Sequence, residues 1–331
     1  MHELVGTSRF QTHGLAARAT ANLLTCGAGF AHDGGMLRLG VRAHDFGKMS
    51  LDVLAGRVAA QGLCAVQFAA TKSIPGFDAD AGRLSPGLAA HVREAFGARG
   101  VSVAVLGCYI NLGTPDEEDA RFQMGRFKEY LRYARDFGCS VVGTETGSVR
   151  ADFSWHPDNH GEAAYQRVLG RVRELVAEAE RFGVFVGVEG VAQYVINSPR
   201  RVRRLLDDAG SNNLQVIFDP VNLLTAENHA AQDAIMRESF ELFGGRMAVF
   251  HAKDFVIGAD GALRQVPAGT AGGRLNWALF VELAKRQKPW ASVLLENTSP
   301  DTLADSVAFV RNTWGGAIQS CGGLIDPEGV P

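Results

Sequence analysis

The sequence predicts one α/β domain with the architecture of a single (β/α)8 TIM barrel, and three observations favour this fold. Short apolar runs that suit buried parallel strands alternate eight times with helix-like segments. A glycine-rich phosphate turn, which an open doubly wound sheet would usually carry, does not follow the first strand. Helix start signals recur, because a hydroxyl residue precedes proline at Ser85-Pro86, Thr114-Pro115, Ser198-Pro199 and Ser299-Pro300.

The predicted strands are short and rich in β-branched residues. They cover residues 37–42, 64–69, 101–108, 140–145, 184–189, 214–219, 247–251 and 292–296. Eight helices are predicted. Seven lie near residues 50–61, 85–96, 198–209, 230–243, 276–286 and 299–314 and in a segment that begins at 114; the eighth carries an apolar stripe from 165 to 179. A long loop at 148–160 could act as a lid or a dimer contact, and a glycine-rich loop at 258–273 could close over a substrate.

The two ends of the chain differ from the barrel. Residues 1–35 carry only two acidic residues, Glu3 and Asp33, so we expect a poorly ordered N-terminal extension. This segment is either a weak targeting segment or an extended start, with Met36 as the initiator. The barrel catalytic domain is predicted over residues 36–317, and residues 318–331 form a C-terminal tail.

The composition excludes several classes of protein. With 46% hydrophobic and 21% charged residues, the chain has the make-up of a soluble globular protein. Its formal net charge of -3 gives no electrostatic case for binding nucleic acid or an anionic membrane. No apolar run is long enough to span a bilayer. The five cysteines show no CxxC pairing, which favours a reduced, cytoplasmic setting.

Four of the later strands each end on a residue that can bind a metal ion, namely Glu189, Asp219, His251 and Glu296. Each residue alone has an ordinary structural interpretation, such as a turn cap or a core histidine. Parallel strands place their carboxyl ends on one face, however, so the four side chains are expected to converge. Three carboxylates and one imidazole suit a hard-to-borderline divalent cation.

Other polar residues at the strand ends are candidates for binding the hydroxyl groups of a substrate. Gln67 is suggestive because its strand is otherwise apolar, although a solvated strand end explains it as well. Glu145 fits a structural ion pair equally, and Lys253 fits a salt bridge. The full set of candidates is His44, Gln67, Asn111, Glu145, Asn222, Lys253 and Asp254.

The strand-end motifs carry a resemblance to a known family. They are Val186-Gly187-Val188-Glu189-Gly190, Phe218-Asp219-Pro220-Val221-Asn222, Phe250-His251-Ala252-Lys253-Asp254 and Leu294-Leu295-Glu296-Asn297. In this order they resemble the xylose isomerase-like barrel superfamily, in particular the sugar phosphate isomerase/epimerase group with its ketose 3-epimerases and inosose dehydratases. The resemblance covers roughly residues 36–314. It implies one divalent cation, Mn in the first place with Mg or Co as alternatives, held at the four positions of the predicted metal site.

One position departs from the pattern of the ketose 3-epimerases. Three residues after the aspartate those enzymes commonly carry a histidine that binds the substrate, and this chain has Asn222. Asparagine can hydrogen-bond a hydroxyl but cannot titrate near neutral pH. The His251-Ala252-Lys253-Asp254 sequence resembles the HxKD pattern of inosose dehydratase relatives instead. The epimerase interpretation is thereby weakened but retained.

The leading functional prediction is a divalent-metal-dependent sugar isomerase or epimerase. It would act through an enediolate at the carbon next to a carbonyl, with Glu189 and Glu296 as the catalytic base and acid. The alternative is an inosose-type dehydratase, a lyase using the same metal site. A metal-dependent endonuclease-like hydrolase and a non-catalytic sugar-binding barrel are further alternatives. The expected partner is a small sugar or cyclitol, not nucleic acid or a membrane, and a homodimer or homotetramer is compatible with such a barrel.

Overall fold

The structure is a computed structural model that describes residues 37–77 and 82–321. Within these residues, eight parallel strands close into a barrel, so the predicted (β/α)8 fold is confirmed. The barrel order follows the chain, and the last strand pairs with the first. The barrel strands are β1 (Arg38–Arg42), β2 (Ala65–Phe68), β3 (Ser102–Gly107), β4 (Val141–Glu145), β5 (Phe185–Glu189), β6 (Leu214–Phe218), β7 (Met247–Ala252) and β10 (Ser292–Leu295).

Helices follow the strands and cover the outside of the barrel. None of the described helices combines the length and the hydrophobicity that a membrane crossing needs. The described helices are α1 (Leu51–Ala60), α2 (Ala70–Ser73), α3 (Pro86–Gly97), α4 (Glu117–Tyr133), α5 (Glu162–Phe182), α6 (Pro199–Ala209), α7 (Gln232–Phe243), α8 (Trp277–Gln287) and α9 (Leu303–Cys321). The predicted N-terminal extension and the residues of the predicted tail after 321 lie outside the described residues.

Two of the four predicted helix starts are confirmed. Ser85 and Ser198 each accept a hydrogen bond from the backbone N–H three residues later, with proline at the first helical position. The start at Thr114-Pro115 is wrong, because Asp116 caps α4 and accepts from two backbone N–H groups. The start at Ser299-Pro300 is also wrong. There the backbone N–H of Ser299 donates to the Thr302 hydroxyl in a turn, and α9 begins one residue after that turn.

The glycine-rich loop predicted at 258–273 provides the turn and the second strand of a β-hairpin. Its antiparallel strands are β8 (Asp254–Ile257) and β9 (Leu263–Val266). The connecting turn is closed by a hydrogen bond from the Gly261 N–H to the Gly258 carbonyl, and Gly261 has a φ of 78°, which favours glycine. Gly258 and Gly261, which indicated a flexible loop, therefore form a tight turn between two short strands.

The barrel interior is filled by apolar side chains below the strand ends. One layer consists of Ala65, Val105, Val141, Ile217, Val249 and Leu294. Such layers leave no pore, so the polar residues at the carboxyl ends of the strands pack against an apolar core. On the outer side, the rings of Phe218, Phe240, Phe250 and Phe280 pack edge to face or stacked between strands and helices.

Gly40 in β1 is expected to tolerate no side chain. A Cβ atom there would lie 2.2 Å from the carbonyl oxygen of Ala65 and 2.6 Å from Leu294 Cδ2, and the β1–β2 ladder holds the backbone in place. We expect Gly40→Ala to lower the free energy of unfolding by about 3 kcal/mol. In α4, Gly125 has no atom within 4 Å of the same position, so Gly125→Ala should raise stability by about 0.5–1 kcal/mol. Equal effects of the two substitutions in urea unfolding would contradict this packing.

Candidate metal centre

The structure brings the four strand-end residues together at the carboxyl end of the barrel. Glu189 ends β5, Asp219 follows β6, His251 lies in β7, and Glu296 follows β10. One ligand atom from each residue lies within 4.8 Å of the other three. All four side chains are buried, none more than 4% exposed. A buried group of three carboxylates is unfavourable unless positive charge compensates it.

The orientation of His251 is fixed by Gln67. The Gln67 amide donates from Nε2 to the Tyr109 hydroxyl at 2.5 Å, so its Oε1 faces His251 Nε2 at 2.8 Å. An amide oxygen only accepts, and Nε2 must therefore carry a proton whether the imidazole is neutral or charged. The other nitrogen, Nδ1, points at the carboxylates of Glu189 and Glu296, at 3.3 and 3.1 Å. When Nδ1 carries no proton, its lone pair points toward these carboxylates and can bind a metal ion.

The two carboxylate oxygens of Asp219 have different surroundings. Its Oδ1 accepts hydrogen bonds from the backbone N–H groups of Val221 and Asn222. Its Oδ2 is buried and accepts no hydrogen bond, although the Lys253 ammonium lies 2.9 Å away. A buried carboxylate oxygen that already faces a cation and accepts no backbone hydrogen bond fits a ligand position for a metal ion.

Two cations compensate part of the negative charge. The Lys253 ammonium contacts Asp219 Oδ2 and Glu296 Oε2, each at 2.9 Å. The Arg42 guanidinium lies 3.4 Å from Glu296 Oε1 and is held by Asp45. Burial opposes ionisation of Glu296, yet the neighbouring charges of His251, Lys253 and Arg42 hold its pKa well below the usual range.

The other members of the cluster respond to the shared negative charge. Burial disfavours the protonated form of His251, but the carboxylates of Glu296 and Glu189 outweigh it and raise its pKa to about 9. Burial raises the pKa of Asp219 to about 6 despite the attraction of Lys253. His251 and Asp219 thus attract protons. A divalent cation at the same place would supply the missing charge, so the residues present fit such an ion.

A cleft of about 670 Å3 opens above the cluster. Among the predicted substrate-binding residues, Asn222, Lys253 and Glu145 line it. Burial, reinforced by the charges of Glu189 and Glu296, raises the pKa of Glu145 to about 7. Gln67 does not line the cleft and instead contacts His251 of the cluster.

His44 lies beside the centre without lining the cleft. Its ring packs edge-on against Tyr109 with 6.2 Å between centroids, and its buried Nδ1 has no hydrogen-bond partner. Burial, together with the charges of Arg42 and Lys72, lowers the pKa of His44 to about 3, so the ring is neutral.

Asn111 and Asp254 use their polar atoms within the protein. The Asn111 amide bonds to backbone groups of Gly113, Ser148 and Arg150, joining two loops. Asp254 accepts hydrogen bonds from three backbone N–H groups and from the indole N–H of Trp277, which holds the hairpin to the start of α8. The structure does not bring these two side chains into the cleft lining.

Several residues of the site were missed in the sequence. Arg42 and Asn297 lie at strand ends, and the rule that identified Glu296 could also have identified them. Gln265 lies in the segment 258–273 that was expected to close over a substrate, but the sequence did not single out this residue or predict its strand. Trp155 and Tyr194 also line the cleft. Trp155 lies in the long loop after β4, which was expected to act as a lid or a contact surface.

The barrel architecture agrees with the protein family that the sequence matches. The model of the xylose isomerase-like TIM barrel matches residues 56–313. The chain belongs to the xylose isomerase-like TIM barrel family. The family resemblance of the strand-end motifs is therefore confirmed. No curated protein sequence matches this xylose isomerase-like barrel.

Solved structures share the fold of this xylose isomerase-like barrel at low sequence identity. A D-tagatose 3-epimerase-like protein is 16% identical with a TM-score of 0.68, covering 86% of this chain and all of its own. The IolI protein with a bound zinc atom is 15% identical with a TM-score of 0.66, covering 87% of this chain and all of its own. A magnesium complex of a xylose isomerase-like TIM barrel protein from Mycobacterium smegmatis is 16% identical with a TM-score of 0.64, covering 87% of this chain and 98% of its own.

Proposed function

We propose that this chain is a divalent-metal-dependent isomerase or epimerase that acts on a small sugar or cyclitol. The observation that carries the proposal is the buried cluster of Glu189, Asp219, His251 and Glu296 at the base of an open cleft. Similar solved structures are described as a D-tagatose 3-epimerase-like protein and an L-ribulose 3-epimerase, which supports this reaction class.

The four residues of the cluster would hold one divalent ion, through three carboxylates and Nδ1 of the histidine. Such an ion would polarise a substrate carbonyl and make the proton on the neighbouring carbon more acidic. Mn is the ion we propose, with Mg or Co as alternatives. Zn and Mg, which two similar structures bind, belong in the same assay.

Glu189 and Glu296 differ in their surroundings, and this difference assigns their roles. Glu189 Oε1 accepts a 2.6 Å hydrogen bond from the neutral amide of Asn222, so we assign it proton removal. Glu296 lies between Lys253 and Arg42, which stabilise its ionised form. We assign proton return to Glu296: solvent water supplies the proton that Glu296 passes to the other face, and Glu189 releases the abstracted proton to solvent. Use of both faces of the intermediate inverts a stereocentre, whereas use of one face twice isomerises the sugar.

A dehydratase acting on an inosose-like ketone is the second candidate. Asn222 favours it, because this residue stands where ketose 3-epimerases commonly carry a histidine. The cleft gives little support to a nuclease, since carboxylates outnumber lysines and arginines in its lining.

The test is metal content by mass spectrometry on the purified full chain, followed by incubation with ketoses and inososes in deuterated water. We expect one divalent ion per chain and solvent deuterium at a carbon beside the carbonyl. An epimer or isomer as product supports the first candidate, and a dehydrated ketone supports the second. A protein that takes up no ion and exchanges no proton in any of these compounds would contradict both.

A further inference from the structure

The β8–β9 hairpin brings Gln265 into the cleft. Its amide Nε2 donates to Asn222 Oδ1 at 2.8 Å, and its Oε1 accepts from Asn297 Nδ2 at 3.3 Å. All three amides line the cleft above the metal centre. Gln265 thus bridges two strand-end residues that come from β6 and β10, on opposite sides of the intervening β7.

These contacts belong to a closed ring of side-chain contacts, which we call the polar ring. Next to Gln265 in this ring, Asn222 Nδ2 donates to Glu189 Oε1 at 2.6 Å. On the opposite side of Gln265, Arg42 donates to Asn297 Oδ1 at 3.1 Å and lies 3.4 Å from Glu296 Oε1. His251 contacts both carboxylates and completes the polar ring. The polar ring consists of Glu189, Asn222, Gln265, Asn297, Arg42, Glu296 and His251.

The backbone at Asn297 is a second, independent observation. Its φ of 57° is the left-handed conformation, which residues other than glycine adopt rarely. Asparagine tolerates this conformation better than most residues, and here it directs the amide toward both Gln265 and Arg42. A strained backbone that delivers a polar group to a cleft is typical of a functional position.

The charges in the cleft disfavour an anionic substrate. The lysine and arginine in the lining, Lys253 and Arg42, are each already in contact with carboxylates. A phosphate group would have to compete with these partners. Five carboxylates lie in the cleft lining or in the cluster beneath it, and they outnumber these two cations. They are Glu145, Glu189, Asp219, Glu227 and Glu296. The three amides of the polar ring, in contrast, present neutral donors and acceptors, which suit hydroxyl groups.

We propose that Gln265 is a specificity-determining residue which, with Asn222 and Asn297, binds the hydroxyls of an uncharged polyhydroxy substrate. The inference rests on the proposed function, because it places the reacting ketone in the same cleft. When the substrate binds, its hydroxyls replace the longer contact of 3.3 Å between Asn297 and Gln265. The 2.8 Å contact between Gln265 and Asn222 remains, so Gln265 positions the amide that donates to Glu189 and links recognition to the proposed base.

The test uses unreactive probes, so that binding is measured apart from chemistry. Hexitols and inositols, together with hexitol phosphates, are titrated by calorimetry into the Mn-loaded full chain. We expect the uncharged polyols to bind at least tenfold more tightly than their phosphates. Gln265→Ala should weaken polyol binding about tenfold and shrink this preference, because two hydrogen-bonding groups are lost. Should Gln265→Ala fail to fold, Gln265→Glu keeps the size and removes the amide donor, and the same loss is expected.

Arg264→Ala is the matched control. Arg264 is the preceding residue of β9, is half-exposed and pairs with Asp260 in the hairpin, away from the cleft lining. It should leave polyol binding within about twofold, whereas an equal loss in both variants would overturn the role of Gln265. Tighter binding of the phosphates, or no polyol binding at all, would also overturn the proposal.

The two proposals fail in different ways. If polyols bind as expected but no ketose exchanges its proton, the proposed reaction is wrong and the role of Gln265 stands. If ketoses exchange normally but phosphates are preferred, the reaction stands and the inference about Gln265 is wrong.

Discussion

Glu189→Gln is expected to reduce proton exchange into the substrate by about three orders of magnitude. The substitution removes the group assigned to proton abstraction, and general-base catalysis contributes about 10²–10⁴-fold. It also replaces an anionic ligand of the cluster by a neutral amide, so affinity for the ion should fall as well. The measurement is the rate of deuterium incorporation at saturating metal, with bound metal counted in the same samples.

Glu174→Gln provides the control for this loss. Glu174 is an exposed residue of α5 paired with Lys128, so its replacement should leave the exchange rate unchanged within about twofold. If Glu189→Gln retained more than a tenth of the wild-type rate with metal bound, Glu189 would not be the base. A role as ligand alone would then remain, and Glu296 would become the residue to test for proton removal.

Lys253→Met is expected to destabilise the metal-free protein by about 3–5 kcal/mol. The ammonium is buried between Asp219 and Glu296, and its removal leaves buried carboxylates without their nearest cation. A divalent ion supplies the same compensation, so most of the loss should disappear at saturating Mn. Urea unfolding with a chelator and with excess Mn measures both states.

Lys128→Met is the matched control, since Lys128 forms its ion pair with Glu174 at the surface. An exposed pair of this kind contributes about 0–1 kcal/mol, and metal should not change that value. An equal destabilisation of Lys253→Met with and without Mn would show that the ion does not bind beside this lysine. That result would remove the electrostatic basis of the proposed centre.

The sequence predicted the four cluster residues because the barrel topology repeats. Glu189 and Glu296 each come at the end of a buried parallel strand, and the carboxyl ends of such strands lie together at one end of the barrel. The prediction therefore needed only the strand boundaries, which local apolar patterns define well. Ser85-Pro86 and Ser198-Pro199 were reliable for the same reason, since a helix cap is decided by neighbouring residues.

The sequence could not predict which polar neighbours turn toward the cleft. Lys253 and Asp254 are adjacent, yet Lys253 lies in the cluster while Asp254 is surrounded by backbone N–H donors of the loop before α8. Only the packed hairpin decides between them. Gln265 shows the same limit, because its side chain meets Asn222 through a contact between residues 43 positions apart. A short alternating strand between glycines gives too weak a pattern to place such a contact.

The count of bound ions per chain tests the central claim most directly, in wild type and in Asp219→Asn. Asparagine keeps an oxygen for the backbone N–H groups of Val221 and Asn222, and it replaces Oδ2, which faces the Lys253 ammonium, by an NH2 group that cannot bind a cation. After dialysis against Mn, mass spectrometry should find one ion in each wild-type chain and almost none in the variant. A wild-type chain without an ion, or a variant that binds as much as wild type, would contradict the assignment of this cluster as a metal centre.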